Sequence, residues 1–235
     1  LLSMTFGWSN GLMSSTRPAG TPTAWSWSTA TRASINDVYL GGLIGGFRIY
    51  HEKMGEQQVD AIPVAIPISV RRPEDPEGGN RIAVGRLAGP MGIDDPFERV
   101  LTIREQVRAA RTEPAVDIFN TLGSVLAWMP GELLGQFSGA TSMNDLQASN
   151  VPGIPWETFV AGAKVERLFP FGPLPGCAVM ATMITHNATA CLGMNCDAAS
   201  ISDPELFAEC IVAGFDEVLA VAAPTGEDID RVGMR

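Results

Sequence analysis

Histidine is scarce here: His51 and His186 are the only two among 235 residues. That leaves little imidazole for a zinc site or for general-base catalysis. The four cysteines, Cys177, Cys191, Cys196 and Cys210, contain no CxxC pair. They read as buried free thiols in a reducing compartment. Cationic side chains are outnumbered, 16 Lys and Arg against 26 Asp and Glu, for a net charge of −10. This excludes nucleic acid as the expected partner, because phosphate contacts need clustered Lys and Arg. It also argues against simple electrostatic attachment to anionic lipid. No apolar run reaches the roughly 20 residues needed to span a bilayer. The longest candidate, Val38 to Phe47, is short and glycine-rich. The chain opens at Leu1 without Met and without a basic-then-apolar signal pattern, so it reads as a fragment whose natural start is missing.

What is present is globular. Apolar residues make up 46% of the chain, and its length suits one or two domains. Residues 1–30 are rich in Gly, Ser, Thr and Pro with Trp8, Trp25 and Trp27 interspersed, and they read as loop or linker. Ser34-Ile35-Asn36-Asp37 predicts a capped helix start. The apolar body that follows carries Gly41, Gly42, Gly45 and Gly46, and each glycine costs about 1 kcal/mol in a helix interior. A second backbone packed very close is the simplest compensation. Ala61 to Val70 predicts a strand; Pro63 and Pro67 place both missing donors on one side, as on an edge or bulged strand. Arg71 to Asn80 reads as a charged loop, and Arg81 to Leu87 as a second strand.

Asp95-Pro96-Phe97-Glu98 predicts a helix running to about Thr112. Further helix is expected over Val116 to Met129, with a short continuation over Glu132 to Phe137. Thr158 to Leu168 reads as a strand. Ala178 to His186 and Ala190 to Cys196 read as a hairpin across Asn187-Ala188. Asp203 and Pro204 open a final amphipathic helix that reaches Ala222. The strands from 146 to 197 are close enough in sequence to pair antiparallel. The expected fold is α/β of the α+β type: a mixed, largely antiparallel sheet flanked by helices.

Local chemistry alone gives no catalytic centre. His51 lies in a polar helix end, His51-Glu52-Lys53, where it reads as solvated, and His186 at a hairpin tip. Asp94, Asp95, Asp203 and Glu205 are explained by helix capping and the helix dipole. Asn36-Asp37 has two readings. Asp37 closes a capping box, or it holds an arginine such as Arg71 or Arg72 near a reaction tunnel. Ser149-Asn150-Val151-Pro152-Gly153-Ile154-Pro155 reads as a strand that leaves the sheet through a Pro/Gly turn.

Several of these stretches, taken in order, resemble the C-terminal half of bacterial wax ester synthase/diacylglycerol acyltransferases, in the CoA-dependent acyltransferase superfamily. Ser34 to Val38 resembles the family's Asn-Asp motif at a helix start. Pro67-Ile68-Ser69-Val70-Arg71 with Gly79-Asn80 is similar to its Pro-x-Ser-x-Arg … Gly-Asn segment. Asp95-Pro96 with Arg99, Ser149 to Gly153, the aromatic-Pro run Leu168 to Leu174, and Asp203 to Leu219 complete the set. It covers about Ala30 to Ala222. The resemblance divides the chain into a 1–30 linker or remnant of the preceding half, a 31–223 domain and a 224–235 tail. It implies one half of the two-domain fold of chloramphenicol acetyltransferase, with a tunnel between similar halves.

The resemblance also implies transfer of a fatty acyl group from acyl-CoA, as co-substrate and without a further cofactor, to diacylglycerol or a long-chain alcohol. The family's general base is the second His of a His-His-x-x-x-Asp-Gly motif in its N-terminal half. This chain has no His-His pair. It is therefore expected to supply tunnel wall and support, and to be inactive alone. By resemblance Asn36 and Asp37 support the site, while Ser149, Asn150, Val151, Pro152 and Gly153 lie at the tunnel or domain interface. Partners would be the N-terminal half in cis and the two substrates. The location would be cytoplasmic, with peripheral contact at a membrane or lipid-droplet surface. The alternative is a non-catalytic acyl-lipid-binding module, or a half that needs a separate partner chain.

Overall fold

The computed structural model describes residues 3–8, 33–56, 59–69, 82–112, 144–174, 176–187 and 189–221. The helix expected over Val116 to Met129 and its continuation lie outside the described residues, as do Arg71, Arg72 and the 224–235 tail.

Three helices among the described residues form where local capping chemistry places them. Helix α1 spans Ile35–Met54, α2 spans Pro96–Thr112 and α3 spans Pro204–Ala220. At the start of α1, Asp37 N–H donates to Ser34 Oγ while Ser34 N–H donates to Asp37 Oδ2 at 2.7 Å, so two orphan donors are satisfied reciprocally. Gly55, at φ +69°, closes its other end in the left-handed region. Asp95 accepts from Phe97 N–H at 2.8 Å ahead of α2, and Asp203 accepts from Leu206 N–H at 2.9 Å ahead of α3.

Eight strands are described: β1 Ser3–Trp8, β2 Ala61–Ser69, β3 Ile82–Pro90, β4 Leu146–Val151, β5 Phe159–Val160, β6 Ala163–Lys164, β7 Val179–His186 and β8 Thr189–Cys196. Six make one mixed sheet in the order β1-β8-β7-β4-β2-β3, and β5–β6 form a separate hairpin. The two longest ladders, β2–β3 and β7–β8, are antiparallel, while β1–β8, β4–β7 and β2–β4 are parallel. The β7–β8 hairpin is the one expected.

Four expectations are corrected. The loop expected over residues 1–30 contains β1, an edge strand parallel to β8. Strand β4 runs parallel to β7, because the long excursion between them returns the chain to the end of the sheet from which β4 set out. Strand β2 is internal, between β4 and β3. Its prolines still explain its pairing. Asp145 N–H donates to the Pro63 carbonyl at 3.0 Å, so Pro63 turns its polar groups toward β4. Pro67, of the same parity, does likewise. Both missing donors face β4, and the β2–β4 ladder holds only Val64↔Leu146 and Ala65↔Gln147. The strand expected over Thr158 to Leu168 is instead the short β5–β6 hairpin followed by irregular chain.

The helices share one apolar core with the sheet. Ile62, Val64, Ile66 and Ile68 of β2, Leu146 and Ala148 of β4, and Val179, Ala181 and Met183 of β7 face it. Helices α1 and α3 run antiparallel in close contact. Phe207 of α3 meets Phe47 and Tyr50 of α1 edge-on, with both centroid separations at 5.1 Å. Each such pair adds about 0.5–1.5 kcal/mol to area burial. The α1 glycines meet the close backbone that their cost demanded: a Cβ on Gly214 of α3 would lie 2.2 Å from Gly46 N and 2.5 Å from Gly42 O.

Arg99 of α2 is fully buried between the helices. It donates to Glu217 at 2.8 Å and to the Ile93 carbonyl at 3.0 Å, and Arg48 donates to the other oxygen of Glu217 at 2.8 Å. Burial pulls the Arg99 guanidinium below its ordinary range, and Glu217 opposes that. The arginine of the Asp-Pro-x-x-Arg stretch therefore locks α2 to α1 and α3.

All four cysteines are free, as read from their spacing, and three are buried. Burial raises every thiol; Cys196, with Cys177 nearby, is pushed up to about 12. Burial also raises Tyr39. At pH 8 a thiol at about 12 holds about one thiolate in 10⁴. Iodoacetamide should therefore modify native protein far more slowly than protein in urea, which will titrate all four thiols. Because the folded-state values are raised, this stabilisation is complete below the free-thiol range near pH 8.5. It declines as pH rises from there toward about 12. Denaturant midpoints measured from pH 7 to 10 should fall at the alkaline end.

Candidate functional site

Strand β4 changes character along its length. Leu146 and Ala148 are buried, Ser149 is half-buried, and Asn150 and Val151 are exposed. The strand leaves the core at Asn150, and Pro152 ends its pairing with β7 by removing a donor. The turn that follows lies against the end of β7. A Cβ on Gly153 would sit 1.8 Å from the Thr185 carbonyl oxygen, so only glycine fits. Asn187 N–H donates to the Ile154 carbonyl at 3.0 Å.

Beyond Pro155 the chain forms an exposed apolar arm. Trp156 is 68% exposed, Phe159 59% and Val160 65%. The β5–β6 hairpin turns through Ala161 at φ +50° and Gly162 at φ +84°, and Lys164 pairs with Glu157 across its base. The aromatic-Pro run then crosses the face of β7–β8 opposite the helices. Asn195 Nδ2 donates to the Gly172 carbonyl, and Gly172 lies against Met180 and Thr182. This crossing explains why β7 and β8 are buried on both faces.

His186 lies at the hairpin tip, as expected. It is buried, covered by the chain between 152 and 165. Its Nε2 lies 3.1 Å from the Val165 carbonyl, and Nδ1 is shielded without a partner among the described residues. Neither nitrogen is open to a substrate hydroxyl. His51, expected in solvent, is half-buried in the last turn of α1 with Nδ1 shielded.

Asp37 is buried, and its Oδ2 accepts from Ser34 N–H and Ser34 Oγ–H, so the capping reading accounts for its carboxylate. Asn36 is half-buried in the first turn. Among the described residues no hydrogen bond or ion pair joins Asn36 or Asp37 to Ser149–Gly153.

A cavity of about 480 Å³ lies at the other end of β4, lined by Asn144, Asp145, Cys177, Asp197 and Ser200 among others. Ser200 Oγ–H donates to Asp197 at 2.8 Å. Leu146, Gln147 and Ala148 separate this hollow from Ser149, so Asp145 and Ser149 lie about 13 Å apart along the strand.

The fold defines the class first. A wax ester synthase/diacylglycerol acyltransferase from Marinobacter aquaeolei VT8 superposes with TM-score 0.59 at 18% identity, over 83% of this chain and 45% of that one. The nonribosomal peptide synthetase FmoA3 superposes with TM-score 0.53 at 15% identity, over 87% of this chain and 22% of that one. Both likenesses speak to fold alone, and in both this chain corresponds to part of a larger protein. The sequence then gives the family: the chain belongs to the WS/DGAT C-terminal domain family, whose profile matches residues 78–218.

Two Mycobacterium tuberculosis H37Rv proteins, each named provisionally as a diacylglycerol O-acyltransferase, are similar. Rv2484c is 42% identical over 189 residues, covering 80% of this chain and 38% of that protein. Rv3480c is 30% identical over 148 residues, covering 59% of this chain and 29% of that protein. The chain thus spans well under half the length of the curated relatives it matches.

Proposed function

We propose that this chain is the C-terminal part of an O-acyltransferase that moves a fatty acyl group from acyl-CoA to diacylglycerol or a long-chain alcohol. The observation that carries the reading is the 42% identity, over 80% of this chain, to a relative provisionally named for diacylglycerol O-acyltransfer. The catalytic base is a histidine of the preceding half, supplied in cis, which takes the proton of the acceptor hydroxyl as it attacks the thioester. The burial of both His186 nitrogens supports that assignment. Acyl-CoA is the co-substrate, and no further cofactor enters.

Ser149, Asn150, Val151, Pro152 and Gly153 border the acyl tunnel where the two halves meet. Asn36 and Asp37 support the site from the start of α1. The exposed Trp156, Phe159, Val160 and Phe171 are the apolar surface the preceding half would cover. The setting is cytoplasmic, with peripheral contact at a membrane or lipid droplet required by the greasy substrates. Among the described residues no helix is long and apolar enough to cross a membrane.

The test is transfer from labelled palmitoyl-CoA to hexadecanol and to dioleoylglycerol, by this chain alone and by the same chain extended through its upstream reading frame. Activity is expected only in the extended protein. Activity in neither favours a non-catalytic lipid-binding module, and activity in the chain alone removes the upstream histidine from the mechanism.

A further inference from the structure

The end of β7 grips the excursion after β4 with three successive residues. The Thr185 carbonyl abuts Gly153, where even a Cβ would collide at 1.8 Å. Asn187, at φ +44°, turns its N–H onto the Ile154 carbonyl at 3.0 Å. Between them His186 reaches the Val165 carbonyl at 3.1 Å, beyond the β5–β6 hairpin. The 153–165 excursion is thus held at both ends by adjacent positions of one strand.

The chemistry of His186 is specific. A carbonyl only accepts, so Nε2 must carry the proton and donate. In the neutral ring Nδ1 is then a bare acceptor, buried and without a partner among the described residues. That is a costly place for a polar atom unless the bond made by the opposite nitrogen is needed. No other described side chain ties the far end of the excursion to β7.

We propose that His186 is a positioning residue for the Ser149–Gly153 site: its Nε2–H bond to Val165 fixes how the turn and the aromatic arm lie on β7, and so the path open to the acyl chain. This rests on the reading of that turn as tunnel wall. His186 touches no reacting atom. Its effect passes through Val165 and the backbone that Thr185 and Asn187 hold.

The test has a structural arm and a kinetic arm. In the ¹⁵N-labelled chain, His186 should show the Nε2–H neutral tautomer. Amide exchange of Asn187 should rise at least tenfold in His186→Leu and stay within twofold in His186→Gln, whose amide keeps a donor near the Nε2 position. Should the leucine variant not fold, His186→Asn, too short to reach Val165, takes its place. In the upstream-extended enzyme, the kcat/KM ratio for palmitoyl-CoA over octanoyl-CoA should shift at least threefold in His186→Leu and little in His186→Gln. A proton on Nδ1, unchanged exchange, glutamine as disruptive as leucine, or a loosened turn with an unchanged ratio would each overturn the proposal. If no form transfers an acyl group, the acyltransferase reading fails instead, and the exchange arm alone decides whether His186 positions the turn.

Discussion

Gly214→Ala is expected to cost the domain about 3 kcal/mol, although alanine is the better helix former by about 1 kcal/mol. The added methyl would lie 2.2 Å from Gly46 N, 2.5 Å from Gly42 O and 2.8 Å from Gly45 C. All three are backbone atoms of α1, so no side chain can rotate away. Helices α1 and α3 must separate, and the layer between them, Phe47, Tyr50, Phe207 and Phe215, loses its fit. Gly41→Ala is the contrast. Its methyl would meet Val100 Cγ2 at 2.5 Å, the tip of a side chain that can shift, and the propensity gain offsets much of the clash. Urea denaturation of both variants checks this. If Gly214→Ala unfolds at the same urea concentration as the parent, the helices do not approach as described.

That contact was partly legible beforehand, and the reason is local. Four glycines in one helix demand a close neighbour, whatever it proves to be. The caps at Ser34, Asp95 and Asp203 were readable for the same reason, since each bond spans two or three residues. The β7–β8 hairpin followed from a two-residue connection. What depended on distant chain was not readable. Pro63 and Pro67 announced two missing donors on one side, but which strand would face them is decided by β4, some eighty residues on. His186 was legible only as a hairpin-tip residue, because its partner, the Val165 carbonyl, comes from an earlier excursion that no local pattern ties to it.

The site divides in the same way. The run Ser149 to Gly153 gave its own geometry: a strand, then a proline, then a glycine turn. Why Gly153 must be glycine required the Thr185 carbonyl. For Asp37, local chemistry was enough to identify the capping box, and the structure adds no second partner among the described residues. The supporting role proposed for it rests on the resemblance at Ser34 to Val38.

Gly153→Ala joins the turn to the proposed reaction. The new methyl would overlap the Thr185 carbonyl, at 1.8 Å from its oxygen and 2.7 Å from its carbon. An ordinary contact needs more than about 3 Å, so the turn must recede by over about 1 Å. Pro152 and Pro155 restrict the dihedrals that could absorb the shift, and the bonds from His186 and Asn187 resist it. Because the turn lies at the surface end of β4, the stability cost should be modest, about 1–2 kcal/mol. The catalytic cost should be larger, because misplacing a substrate-positioning element by about 1 Å can cost about 10²-fold in rate. In the upstream-extended enzyme, kcat/KM with palmitoyl-CoA should fall about a hundredfold, with Tm lowered by only a few degrees. Val84→Ala, which trims an exposed side chain of β3 outside the turn, should stay near the parent. Near-parental activity in Gly153→Ala would separate the turn from the acyl path. A rate loss matched by wholesale unfolding would make Gly153 a folding residue and nothing more.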